Sequence, residues 1–256
     1  MIGVFDSGLG GLSVVREVLR LDPSAAIAYL GDRAWAPYGE RTLADVRSRS
    51  EQVAAHLLGL GADSVVIACN TASAAALVHL RELHPGEVFV GMEPAVKPAA
   101  ALTKSGIIGV LATPATFQGE LYASVVDRFA TDVEVIDAPC PGWMELVEDP
   151  PEGSVIRATI ERTLEPLLGR GVDVLVLGCT HYPFLRSHIE AVAPRVSIVD
   201  PGEAVARQVI RTASPDRSGE VRIQVTGPAA GVSERIKSLV GLDLAVESVT
   251  FTHSAD

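Results

Sequence analysis

Short apolar runs of strand length alternate along this chain with longer amphipathic runs of helical period. That alternation restricts the fold more than any other feature. The candidate strands are 2–5, 27–30, 65–68 and 88–90, then 107–111, 133–136, 174–177 and 196–199. Candidate helices lie between them at 12–21, 43–60, 73–83, 117–129, 155–168 and 184–192. Strands separated by helices return through crossovers rather than hairpins, which yields parallel sheets in an α/β fold. The strand segments are rich in Val and Ile without strict polar alternation, as expected of sheets covered on both faces.

The pattern runs twice. Asp6 follows the first strand of the first set, and Thr113 lies just beyond the first strand of the second. Nearly the same stretch of chain then separates Asp6 from Cys69 and Thr113 from Cys179. Strand order and spacing therefore point to two similar doubly wound parallel-sheet domains. A boundary is expected near Glu93-Pro94, and the second half is expected to end near Asp200-Pro201-Gly202. The tail carries a helical pattern at 204–212, a strand at 221–225, another helix and a last strand at 244–249. It is too small to fold alone and is expected to pack back on the first half. The expected domains are thus 1–93 with 202–256, and 94–201.

Composition narrows the function. The 256 residues carry a net charge of −11, which argues against a nucleic-acid-binding surface, while local N–H donors can still hold a small anion. No apolar run approaches the roughly 20 residues that span a bilayer, so no membrane association is expected. The N-terminus enters a strand pattern at once without a basic region, unlike a signal peptide, and the expected location is cytoplasmic. The three cysteines, Cys69, Cys140 and Cys179, form no C-x-x-C spacing, and the odd count argues against a disulfide framework or structural zinc. His56, His79, His84, His188 and His253 show no ligand clustering, so no metal is expected.

Ligands of open α/β sheets bind beyond the carboxyl ends of the strands. Two of those ends repeat each other. Asp63-Ser-Val-Val-Ile-Ala-Cys69-Asn70-Thr71 and Asp173-Val-Leu-Val-Leu-Gly-Cys179-Thr180-His181 each run from an apolar strand through a small residue to Cys and a polar neighbour, with a helical pattern following. Either Cys alone reads as a small buried hydrophobe. Core packing does not require the same offset twice, so the repeat favours two acid/base thiols. A helix N-terminus would lower the pKa of each. Cys140, in Pro139-Cys140-Pro141, lacks this context and reads as structural.

Other strand ends offer further candidates. Phe5-Asp6-Ser7-Gly8-Leu9-Gly10-Gly11 sets a carboxylate and a hydroxyl in a glycine-rich turn that is neither G-x-G-x-x-G nor a Walker A loop; Asp6 and Ser7 also fit a helix cap. Pro37-Tyr38-Gly39 can present backbone N–H groups or form an ordinary turn. Thr113 and Thr116 place hydroxyls at a helix start, for an anion or a cap. His181 reads equally as a base or as a hydrogen-bonded structural histidine. Glu148, at the end of Glu145-Leu146-Val147-Glu148, reads as a solvated or paired carboxylate, with a supporting role beside His181 as the alternative.

Together these segments resemble the glutamate racemase family of the aspartate/glutamate racemase superfamily. The resemblance rests on Phe5–Gly11, Pro37-Tyr38-Gly39, Ala68-Cys69-Asn70-Thr71-Ala72 and Gly178-Cys179-Thr180-His181-Tyr182-Pro183, spread over most of the chain. It implies two α/β domains related by pseudo-twofold symmetry with the active site in the cleft between them. It also implies cofactor-independent interconversion of L- and D-glutamate for peptidoglycan synthesis. In that pattern one cysteine thiolate removes the α-proton and the other thiol reprotonates the opposite face, Cys69 acting on D-glutamate and Cys179 on L-glutamate. Asp6 and His181 match the assisting residues. Asp6, Ser7, Pro37, Tyr38, Gly39, Asn70, Thr71, Thr113, Thr116, Thr180 and His181 match the substrate contacts, with Thr113, Thr116 and Glu148 the less firm matches. A racemase of aspartate or another amino acid, or a partner-binding role, are the alternatives, and a homodimer is left open.

Overall fold

The computed structural model describes residues 1–213 and 218–251; His253 lies outside them. The first set of elements is β1 (Ile2–Asp6), α1 (Leu12–Leu21), β2 (Ile27–Gly31), α2 (Leu43–Gly59), β3 (Ser64–Ile67), α3 (Asn70–Leu83) and β4 (Val88–Gly91). The second is α4 (Val96–Leu102), β5 (Ile107–Ala112), α5 (Pro114–Phe117), α6 (Glu120–Phe129), β6 (Glu134–Pro139), α7 (Glu145–Glu148), α8 (Gly153–Gly169), β7 (Val174–Leu177), α9 (Arg186–Val192) and β8 (Ser197–Val199). Then follow α10 (Gly202–Thr212), β9 (Val221–Thr226), α11 (Val232–Val240) and β10 (Val246–Val249).

Two parallel sheets result. One has six strands in the order β10-β9-β2-β1-β3-β4, the other four in the order β6-β5-β7-β8. The segments β2-β1-β3-β4 and β6-β5-β7-β8 share one order, so the sequence repeat is also a topological repeat. In each, the chain crosses over to one side of its first strand and then to the other. The two switch points, between β1 and β3 and between β5 and β7, are where crevices form in such sheets. The tail extends the first sheet: β9 runs beside β2, from Ile27↔Val221 to Gly31↔Val225, and β10 beside β9.

The strands form as their composition requires. All five residues of β1 are buried, and neighbouring side chains enter opposite layers. Val4 joins a core with Leu12, Val15 and Val209, whereas Phe5 joins one with Val53, Leu57 and Leu77. The second sheet repeats this, Val110 facing Tyr122 and Val125 and Leu111 facing Ile160 and Leu164. Each such side chain contributes about 1.5–3 kcal/mol of burial.

Local chemistry moves several helix boundaries. The helix expected at 73–83 begins at Asn70, because Cys69 takes the cap position and its sulfur accepts the Ala72 N–H at 3.5 Å. The helix expected at 117–129 is two helices, α5 and α6. Gly119 marks the break, where a Cβ would lie 2.6 Å from the Ala74 Cβ of α3. The helices α4 and α7 had no sequence signal strong enough to show. The helix expected at 184–192 begins at Arg186, preceded by a 3-10 turn at Tyr182–Leu185 with Pro183 in its first positions.

Candidate active site

The carboxyl ends of β1, β3, β5 and β7 converge on one cavity, with about 650 Å³ of empty space including its open mouth. From the first sheet it is lined by Ser7, Pro37, Tyr38, Gly39, Cys69, Asn70 and Thr71. From the second come Thr113, Thr116, Cys179, Thr180 and His181. The sequence candidates therefore meet at one place. Asp6 differs: it is fully buried behind the wall, its Oδ1 accepting the Gly8 N–H at 2.9 Å and its Oδ2 the Thr180 hydroxyl at 2.8 Å. It ties the first sheet to the second and meets Cys69 only through its charge.

The surroundings of Cys69 overturn one expectation. Burial, joined by the negative charge of Asp6, pushes its pKa up to about 12, against the Ala72 N–H and the Ser7 hydroxyl. The helix start does not prevail, because one long N–H···S contact is weaker than desolvation of a buried thiolate. The sulfur is a neutral thiol that donates toward Ser7 Oγ at 3.7 Å.

Cys179 has another setting. His181 Nδ1 lies 3.7 Å from its sulfur, and His181 Nε2 lies 3.0 Å from Glu148 Oε1. Burial works to lower the pKa of His181, but contacts with Cys179 and Glu148 and the charge of Asp6 outweigh it and hold the pKa well above the usual histidine range. Glu148 moves the opposite way. Burial is outweighed by His181, the Leu9 N–H and the Arg33 guanidinium, and its pKa is lowered. Imidazolium and carboxylate thus form a pair that places positive charge beside the Cys179 sulfur.

Hydroxyls and one amide complete the walls. Thr113 Oγ1 lies 2.9 Å from Thr71 Oγ1 and 3.0 Å from Thr116 Oγ1. Asn70 is 3% exposed, yet neither its Oδ1 nor its Nδ2 has a partner among the described residues. A buried amide left open in a cavity wall is suited to a polar ligand.

Sequence reasoning missed part of the wall. Cys140, read as structural, lines the cavity with Gly142, Met144, Glu145 and Tyr182. The available signal was its place directly after β6, a strand end like the others. Its chemistry still fits the structural reading: burial raises its thiol pKa, and the S–H donates to the Ala138 carbonyl at 3.2 Å.

Residues 12–209 match the sequence model of the family described as Asp/Glu/Hydantoin racemase. The chain belongs to the Asp/Glu/hydantoin racemase family. It is 50% identical over 212 residues, 82% of this chain and 81% of the other, to the glutamate racemase of Ectopseudomonas mendocina (strain ymp). Its structure is similar to that of glutamate racemase from Francisella tularensis subsp. tularensis SCHU S4 in complex with D-glutamate, with a TM-score of 0.84, 26% identity and 97% of each chain covered. It is likewise similar to Escherichia coli glutamate racemase in complex with L-glutamate and the activator UDP-MurNAc-ala, with a TM-score of 0.82, 31% identity and 97% of each chain covered. The two-sheet α/β fold and the racemase class expected from the sequence both hold. Among the described residues no helix is long and apolar enough to cross a membrane.

Proposed function

We propose that this racemase interconverts L- and D-glutamate without a cofactor, through two bases, and supplies D-glutamate for peptidoglycan synthesis in the cytoplasm. The observation that carries this reading is the presence of Cys69 and Cys179 in one cavity, each delivered by a different sheet. Inversion at Cα needs a base on one face and an acid on the other, each within reach of its proton. Two thiols brought from two domains meet that need. Relatives solved with D-glutamate and with L-glutamate support the substrate assignment.

In this mechanism Cys179, beside the His181 imidazolium, takes the α-proton of L-glutamate as thiolate. The electron pair left at Cα is spread into the α-carboxylate, and the Cys69 thiol gives its proton to the opposite face. D-glutamate runs the reverse course. The Asn70 amide and the Thr71, Thr113 and Thr116 hydroxyls suit the substrate's polar groups, as do the Ser7 and Thr180 hydroxyls and the backbone of the Pro37-Tyr38-Gly39 turn. Asp6 orients Thr180. Oriented donors in an enclosed site stabilise the charge that develops.

Deuterium wash-in at Cα tests the reading. Cys69→Ser retains Cys179 and is expected to exchange L-glutamate only; Cys179→Ser is expected to exchange D-glutamate only. Exchange of both isomers by either variant would remove the one-thiol-per-face assignment. Circular dichroism of a panel of L-amino acids separates glutamate from aspartate, and rescue of a D-glutamate auxotroph tests the cell-wall role.

A further inference from the structure

The turn at Tyr38–Glu40 is held from behind by a carboxylate that does not line the cavity. Asp32 is fully buried just after β2. Its Oδ1 accepts from Arg49 Nη2 at 2.7 Å and from the Thr226 hydroxyl at 2.7 Å. Its Oδ2 accepts from Arg49 Nε at 2.7 Å and from the Tyr38 hydroxyl at 2.7 Å. Donors from α2, the end of β9 and the turn thus saturate one carboxylate. The Thr226 hydroxyl also accepts the Ala34 N–H at 3.0 Å, and the Phe251 ring centroid lies 4.6 Å from the Arg49 guanidinium carbon.

A buried ion pair is weak support for stability, since desolvation offsets its attraction, but a bidentate pair is strict about geometry. Here the geometry reaches the cavity. Tyr38 and Gly39 form its wall, and a Cβ on Gly39 would lie 2.9 Å from the Thr113 Cβ, so the turn touches the opposing domain. A small displacement of Asp32 therefore changes the space between the turn and Thr113.

We propose that Arg49 and Thr226 are positioning residues for substrate binding: through Asp32 they fix the Tyr38–Gly39 backbone against Thr113 and set the width of the substrate cleft. The C-terminal segment, remote from the thiols in sequence, thereby takes part in recognition. The proposal rests on the glutamate reading of the site.

Steady-state racemisation of L- and D-glutamate by Thr226→Val, Arg49→Lys and Arg49→Met tests it, with melting followed by circular dichroism. Thr226→Val is expected to raise KM in both directions about tenfold, the size of one hydrogen bond to a charged group, with little change in kcat. Arg49→Met is expected to raise KM further, and Arg49→Lys, which keeps the charge but not the bidentate fork, to fall between them. Arg157→Met, which removes an exposed pair with Glu161, serves as a control that leaves both constants unaltered. Folded Thr226→Val and Arg49→Lys with wild-type KM would overturn the proposal. So would a fall in kcat alone that tracks the folded fraction, since that is the mark of a purely structural role. Should Arg49→Met fail to fold, Tyr38→Phe removes a single bond to Asp32 and is expected to raise KM likewise. A wild-type protein that does not racemise glutamate would instead overturn the function proposed above.

Discussion

Cys69 and Cys179 follow equivalent strands of equivalent sheets, yet their surroundings are opposite in kind. Cys69 caps a long helix, is buried, and faces a hydroxyl and the charge of Asp6, which leave it a neutral thiol. Cys179 precedes a 3-10 turn, is half-buried, and faces an imidazolium held by Glu148. A repeat thus conserves where a group is delivered without conserving its electrostatics. In the two-base reaction proposed above the asymmetry is useful: one sulfur is set as acid while the other has a cationic neighbour.

The broadest attack on this comparison removes either sulfur. Cys69→Ser and Cys179→Ser are each expected to lower kcat in both directions by about 10³-fold or more, measured by polarimetry, because in the proposed mechanism either loss removes a general acid/base. Near-wild-type turnover in one of them would mean that the two thiols are not partners. Next in size is Gly10→Ala. Its Cβ would lie 2.7 Å from Thr180 Oγ1 and against the His181 ring, forcing apart the contact between the sheets. A fall of about 10²-fold in kcat/KM is expected, while Gly86→Ala, which meets nothing within 4 Å among the described residues, changes little.

His181→Asn and Asp6→Asn sharpen the comparison. Mirror images have equal free energy, so kcat/KM must remain equal in the two directions for every variant. The asymmetry has to be read from isotope effects instead. His181→Asn is expected to lower kcat about tenfold to a hundredfold and to enlarge the Cα-deuterium effect on L-glutamate more than on D-glutamate. Asp6→Asn is expected to do the reverse. Equal effects in both directions would deny the two thiols separate assistants.

The smallest effect is on stability. Glu148→Gln is expected to cost about 1–3 kcal/mol by thermal melting near pH 5.5. The sign follows from both partners. Glu148, lowered in the fold, contributes stability above its unfolded pKa and loses it as pH falls through the folded value. His181, raised in the fold, contributes fully below its unfolded pKa and loses it as pH rises through the folded value. The gap between wild type and variant should therefore be widest between about pH 5 and 6.5 and narrow on either side. A constant gap across pH 4–9 would show that the pair is not ionised as assigned.

Much of this was legible in the sequence. The alternation of apolar runs and helices is local, and it sufficed for parallel sheets and for the repeat. Cys69, Cys179 and their neighbours stood out because strand ends are marked by composition. The split at Gly119 was not legible, since its cause is the approach of Ala74 from another helix. Nor was the pKa of Cys69, which depends on how much water the whole fold excludes. Cys140 reads as structural in the sequence and not as part of the wall, because its strand end lacks the polar neighbours that marked the others.

The sequence by itself determined which groups the cavity receives, since side chains beyond parallel strands are delivered to one edge of a sheet by covalent order alone. The tertiary structure decided what those groups are worth. Asp6 meets Thr180, Leu9 meets Glu148, and Asp32 meets Thr226 across long separations in the chain. Burial and charge act through such distances in space, and no local pattern of residues encodes them.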